Sequence, residues 1–84
     1  MFTGIIRKIA KLSVVGESKT GITVSLGVPA GWKLSGGQSL SVNGICSTVA
    51  MVRGKKLIFQ YMPETIRKTT VRWWRKGDRV NLEQ

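Results

Sequence analysis

Eighty-four residues, 42% of them hydrophobic, make one small domain, residues 1–84, and a domain of this size buries only about 60–65% of its unfolded surface. A single cysteine and no histidine exclude an internal disulfide framework and a credible zinc site, and leave no ready general base near neutral pH. Fourteen Lys and Arg against four Asp and Glu give a formal +10, a charge that attracts phosphates, nucleic acid or anionic membrane, or that simply keeps a small surface in solution.

The opening, "MFTGII", spends apolar residues where a chain end usually frays, so it needs a strand, a second chain or a ligand to cover it. It is interrupted too early, at Arg7 and Lys8, to be a secretory signal. No later stretch approaches the roughly 18 apolar residues of a spanning helix. The expectation is a soluble, cytoplasmic chain without a membrane partner.

"GIIRKIAKLSVV" reads as a long first strand, on its β-branched content and lack of helix caps. "ITVSL" alternates cleanly, with Ile22, Val24 and Leu26 on one face. "VPAGWKLSGG" is too rich in Gly and Pro for regular structure, and Trp32 and Leu34 are placed to plug one barrel end. "QSLSVNG" and "ICSTVAMV" form two strands joined at Asn43-Gly44, a pair that tolerates the positive φ of a tight hairpin. "RGKK" turns the chain into a fifth strand, "LIFQYM". Pro63 then opens a helix that Thr69, Thr70 and Val71 keep short, and "DRVNLE" closes as a sixth strand. The pattern predicts an all-β fold: a small six-stranded Greek-key closed barrel with one short helix, closure removing the exposed edges.

Two stretches carry candidate chemistry. In "NGICST", Cys46 and Thr48 share a face of their strand. That face either points into the core, making Cys46 a small filler, or lines a pocket mouth and meets a polar ring edge or sugar hydroxyls. In "MPET", Glu64 and Thr65 stand where a strand hands over to a helix, either serving a ligand or only favouring the first helical turn.

Taken together, "MFTGII", "NGICST", "MPETIRKT" and "GDRVNLE" resemble, in order and spacing, the N-terminal repeat of riboflavin synthase alpha chains, the lumazine-binding domain. The resemblance implies a pocket with three walls: Gly4, Ile5 and Ile6; Cys46, Ser47 and Thr48; and Gln60, Tyr61, Met62, Pro63, Glu64 and Thr65. It also implies Phe2, Ser39 and Cys46 as candidate catalytic residues. Apolar faces would sandwich a flat ring while backbone and polar side chains meet its amide edge and ribityl tail. The family's reaction is a dismutation in which one 6,7-dimethyl-8-ribityllumazine gives a four-carbon unit to another, yielding riboflavin and a pyrimidinedione. No metal or redox cofactor is implied, only lumazine or riboflavin as bound ligand, and two facing sites that hold the rings together.

Family chains carry two such repeats, whereas this sequence spans one. It departs further at Ser47, where Leu is usual, and at Trp73 and Trp74, which replace less bulky residues. Both tryptophans read as anchors of an interface in a homodimer or higher homo-oligomer, with outward-facing plugs as the alternative. Other functional readings are a flavin- or lumazine-binding module without catalysis and, least favoured, a basic barrel that stacks single-stranded nucleic acid on Trp32, Phe59, Trp73 and Trp74.

Overall fold

A computed structural model describes residues 7–84. Six strands, β1 (Arg7–Ser18), β2 (Gly21–Gly27), β3 (Ser39–Val42), β4 (Ile45–Arg53), β5 (Lys56–Tyr61) and β6 (Arg79–Glu83), are accompanied by one helix, α1 (Pro63–Lys68), and a single 3₁₀ turn over Val71–Trp73. The strands form a closed antiparallel barrel in the order β1-β2-β5-β4-β3-β6. This is the expected Greek key, in which β2 joins the β3-β4-β5 meander at β5 and β6 returns to seal β3 against β1.

The first strand has to serve two neighbours. Its early half, from Arg7↔Glu83 to Lys11↔Arg79, pairs with β6, and its later half, from Leu12↔Leu26 to Ser18↔Gly21, pairs with β2. An irregularity between Leu12 and Val14 marks the handover, since an extra residue bends a strand and sharpens its twist. It also disrupts the strand's two-residue period, leaving Leu12 inside and Ile9 and Val14 exposed.

The hairpin between β3 and β4 turns at Asn43 (φ 50°) and Gly44 (φ 81°), the two positive-φ residues that a tight turn needs to match strand twist. The Asn43 side-chain carbonyl accepts from the Asn81 amide at 2.7 Å, and the Asn43 amide donates to the Asn81 carbonyl at 2.8 Å. The turn is thereby tied to β6.

Inside the barrel, Val24, Leu26, Val42, Leu57, Phe59 and Leu82 are effectively removed from water. Trp32 and Leu34, from the irregular segment after β2, pack half-buried against this core. α1 is as short as its threonines dictate and buries none of its residues fully. The 3₁₀ turn after it, which no pattern of residues foretells, drives Val71 and Trp74 inward.

The two tryptophans therefore part company. Trp74 is 6% exposed and meets the Tyr61 ring edge-on at 5.6 Å between centroids. Its expected role as an interface anchor is corrected: it is core, because burying so large an apolar surface contributes more than any surface contact. Trp73 is 62% exposed, with the Arg72 guanidinium 4.7 Å over its ring. Phe59, at 1% exposure, is also core. Two of the four aromatic platforms that the nucleic-acid reading required are thus inaccessible to a base.

Candidate functional site

Alternation along β4 turns Cys46 and Thr48 outward and Ser47 and Val49 inward. Cys46 is exposed, so the reading of it as a core filler is overturned. On one flank, β3 sets Ser41 opposite Cys46 and Ser39 opposite Thr48. On the other, the β4–β5 register passes through Val49↔Phe59. Beyond that pair, the Ser47 and Tyr61 hydroxyls hydrogen-bond at 2.8 Å. Around this bond, Cys46 and Thr48 on β4 and Gln60 and Met62 at the end of β5 are all exposed.

The outer wall of the barrel thus carries the cross-strand pairs Ser39–Thr48 and Ser41–Cys46. Neighbours opposite one another in a ladder stand about 4.5–5.5 Å apart at Cβ, so the pairs form a strip of hydroxyl and thiol groups, to which exposed Gln60 and Met62 at the end of β5 add an amide and a thioether. Pro63, Glu64 and Thr65 follow directly from the Met62 end at the start of α1. Glu64 is exposed and ion-paired with Lys68 at 3.0 Å. Thr65 is half-buried, its carbonyl accepting from the Thr69 hydroxyl at 2.8 Å. Ser39 and Cys46 also open onto a depression of about 300 Å³ that is shared with Ser41, Gly44, Glu83 and Gln84.

Beneath the strip lies a polar pair closed to water. The Ser47 hydroxyl, within hydrogen-bonding distance of Tyr61, donates to the Ile45 carbonyl at 2.9 Å. Burial pushes the Tyr61 phenol up to about 12, with the Ser47 hydrogen bond pulling slightly the other way, because an apolar surrounding penalises the phenolate. The side chains of Ser47 and Tyr61 accordingly face away from the outer wall, although both residues stand in candidate walls of the pocket.

Of the other candidates, Phe2, Gly4, Ile5 and Ile6 lie outside the described residues. Ser41 was missed, although Ser39 and the period of two pointed to it. Among the described residues, no group of three or more His, Cys, Asp and Glu could hold a metal ion, and no helix is long and apolar enough to cross a membrane.

Fold and site together define a small β-barrel module that fills its interior with side chains and gathers its polar groups on the outer wall. The lumazine binding domain family matches residues 3–84. Riboflavin synthase of Bacillus amyloliquefaciens is 36% identical over the whole chain and 40% of its own length. Riboflavin synthase of Escherichia coli is likewise 36% identical over 40% of its length, and that of Photobacterium phosphoreum 31% identical over 39%. The chain belongs to the lumazine binding domain family, and it spans about 40% of the length of the curated relatives it matches.

Proposed function

We propose that this domain binds 6,7-dimethyl-8-ribityllumazine or riboflavin against the outer strip of Ser39, Ser41, Cys46, Thr48, Gln60 and Met62, with Glu64 and Thr65 at its end. The observation that carries the reading is the meeting of two matched motifs. "NGICST" turns into β4 and "MPETIRKT" begins where β5 ends, and the Ser47–Tyr61 hydrogen bond ties the two strands together there. Met62 and the Cys46 thiol offer soft, polarisable contact to a ring face. The hydroxyls of Ser39, Thr48 and Thr65 and the carboxylate of Glu64 suit ring amides and ribityl hydroxyls.

Catalysis is the second part of the proposal and rests on the resemblance. The dismutation needs no metal or redox cofactor, only two rings held face to face, an orientation that contributes several kcal/mol to lowering the barrier. One domain supplies one such face, so a second domain of this kind, on a second copy in the case proposed, completes the site, with Ser39 and Cys46 beside the reacting rings. Among the described residues, Trp73 is the exposed aromatic available to anchor that association. Sedimentation with ligand present should show a dimer that Trp73→Ala weakens.

Riboflavin fluorescence quenching tests binding, and flavin absorbance appearing from the lumazine tests turnover. Absence of quenching at high micromolar protein would remove the binding reading, whereas quenching without turnover would leave a non-catalytic flavin-binding module.

A further inference from the structure

The β1–β2 turn, α1 and the 3₁₀ turn line a further, open pocket of about 310 Å³. Its floor is apolar, from buried Ile22 with Pro63 and half-buried Ile66, and its rim carries Lys19, Arg67 and Arg72, with Glu17 as the one acid and Ser18 as the one hydroxyl. The three cations come from three separate segments: the β1–β2 turn, α1 and the 3₁₀ turn. The ion pairs among the described residues are Arg7–Glu83 and Lys68–Glu64, so none of the three is neutralised by an acid there. We propose that this pocket is a binding site for an organic phosphate monoester, with the phosphate held by Arg67, Arg72 and Lys19 and the carbon skeleton laid on Ile22, Pro63 and Ile66.

Three like charges brought to one rim repel one another, and a bound dianion removes that repulsion. Two guanidinium groups favour phosphate over a simple halide, because each presents a planar fork of donors to paired oxygens. Arg72 is already held, stacked on Trp73 at 4.7 Å, so it loses less freedom on binding. The volume falls at the low end of small-molecule sites and exceeds what a bare phosphate fills. The apolar floor would gain nothing from an inorganic ion. Glu17 opposes the anion from the rim and makes its neutralisation a second handle on affinity.

The site shares only Pro63 with the lumazine strip, so the two readings fail separately. Calorimetry on the whole chain, at fixed ionic strength, compares phenyl phosphate with inorganic phosphate, and riboflavin quenching on the same samples reports the other site. Phenyl phosphate is expected to saturate a single site and to bind several-fold tighter than inorganic phosphate. Arg67→Gln and Arg72→Gln should each weaken it about tenfold, the factor that one charge-assisted hydrogen bond commands. Glu17→Gln should tighten it, Ile66→Ala should erase the preference for the ester, and riboflavin binding should be unchanged in the two arginine variants. Amide resonances of Lys19, Ile22 and Ile66 should shift on titration of the unmodified chain, a readout independent of how the variants fold. Non-saturating binding, wild-type affinity in both arginine variants, or shifts elsewhere on the barrel would overturn the site. An ester bound no tighter than inorganic phosphate would overturn its assignment to an ester.

Discussion

The Ser47 hydroxyl and the Tyr61 phenol meet at 2.8 Å inside the barrel, directly beneath the wall on which Cys46, Thr48, Gln60 and Met62 face outward. This bond ties β4 to β5 beyond the paired Val49↔Phe59. Its buried oxygens are satisfied, and no buried side-chain nitrogen or oxygen among the described residues lacks a partner.

The two ends of this bond are unequal. Tyr61→Phe leaves Ser47 its hydrogen bond to the Ile45 carbonyl at 2.9 Å, so the cost should be about 1 kcal/mol or less. Ser47→Ala instead strands a buried phenol and should cost about 1–3 kcal/mol. Urea unfolding of the two variants checks the order. Tyr61→Phe proving the more damaging would mean that the phenol has a partner other than Ser47.

Alkaline pH should unfold the domain through Tyr61. The folded phenol titrates at about 12 against an ordinary value of 10.0. Between those values the unfolded chain has released its proton while the folded chain keeps it, so raising pH favours unfolding. The stabilisation is complete below pH 10 and is lost as pH rises to 12, a change of about 3 kcal/mol. Other effects of high pH are common to Tyr61→Phe, so the difference between the two proteins isolates the phenol. Tyr61 is the sole tyrosine, and ultraviolet absorbance of the phenolate reads its titration directly. A midpoint near 10 in the folded protein would contradict its burial.

Gly21 should be irreplaceable. It sits at φ 144°, and a Cβ there would overlap the Tyr61 carbonyl oxygen, which is backbone and cannot step aside. Gly21→Ala should cost about 2–4 kcal/mol, through both the clash and the backbone conformation. Gly16, where a Cβ meets nothing within 4 Å, is the control, and Gly16→Ala should stay within about 0.5 kcal/mol of the parent. Equal melting temperatures for the two variants would refute the distinction.

Cys46 offers a direct probe of the strip. Because the thiol is exposed, it should react readily with a thiol reagent in the unliganded protein, and riboflavin should slow that reaction if the ring lies on the strip. Phenyl phosphate, directed to the other pocket, should leave the rate unaltered. Identical labelling with and without riboflavin would move the flavin site off this wall.

Much of the fold was legible because local signals agreed with the global one. The alternation of Ile22, Val24 and Leu26, the Asn43-Gly44 turn and Pro63 at the helix start each specify one local conformation, and the barrel adopts all three. The inward or outward sense of β4 was not legible. Ser47 is polar yet buried, and Cys46 and Thr48 are small, so hydrophobicity gives no sign of which set faces water. The hydroxyl of Tyr61, on the neighbouring strand, is the partner that lets Ser47 be buried. Trp73 and Trp74 were indistinguishable for a different reason: a 3₁₀ turn has no long period to extend, so adjacent side chains diverge without warning in the pattern. The first strand looked mixed because it is shared, pairing its early half with β6 and its later half with β2, with its inward period broken at the irregularity between Leu12 and Val14. The candidate site was read from matched motifs; the Ser47–Tyr61 bond ties the strand of one to the strand that leads into the other.

The seam between β1 and β6 also sets an order of events in time. β1 is made first and β6 last, and Arg7 pairs with Glu83, so a chain emerging from the ribosome can form the β3–β4–β5 meander and pair β2 with it while half of β1 still waits for its neighbour. Until Glu83 appears, the barrel is an open sheet with two bare edges, the state in which such folds stick to one another. Closing it joins residues from opposite ends of the domain, which costs loop entropy before any contact repays it. Folding should therefore be slow for so short a chain. A circular permutant that links the ends and opens at the Lys55 turn would make the seam local and should fold faster without being more stable.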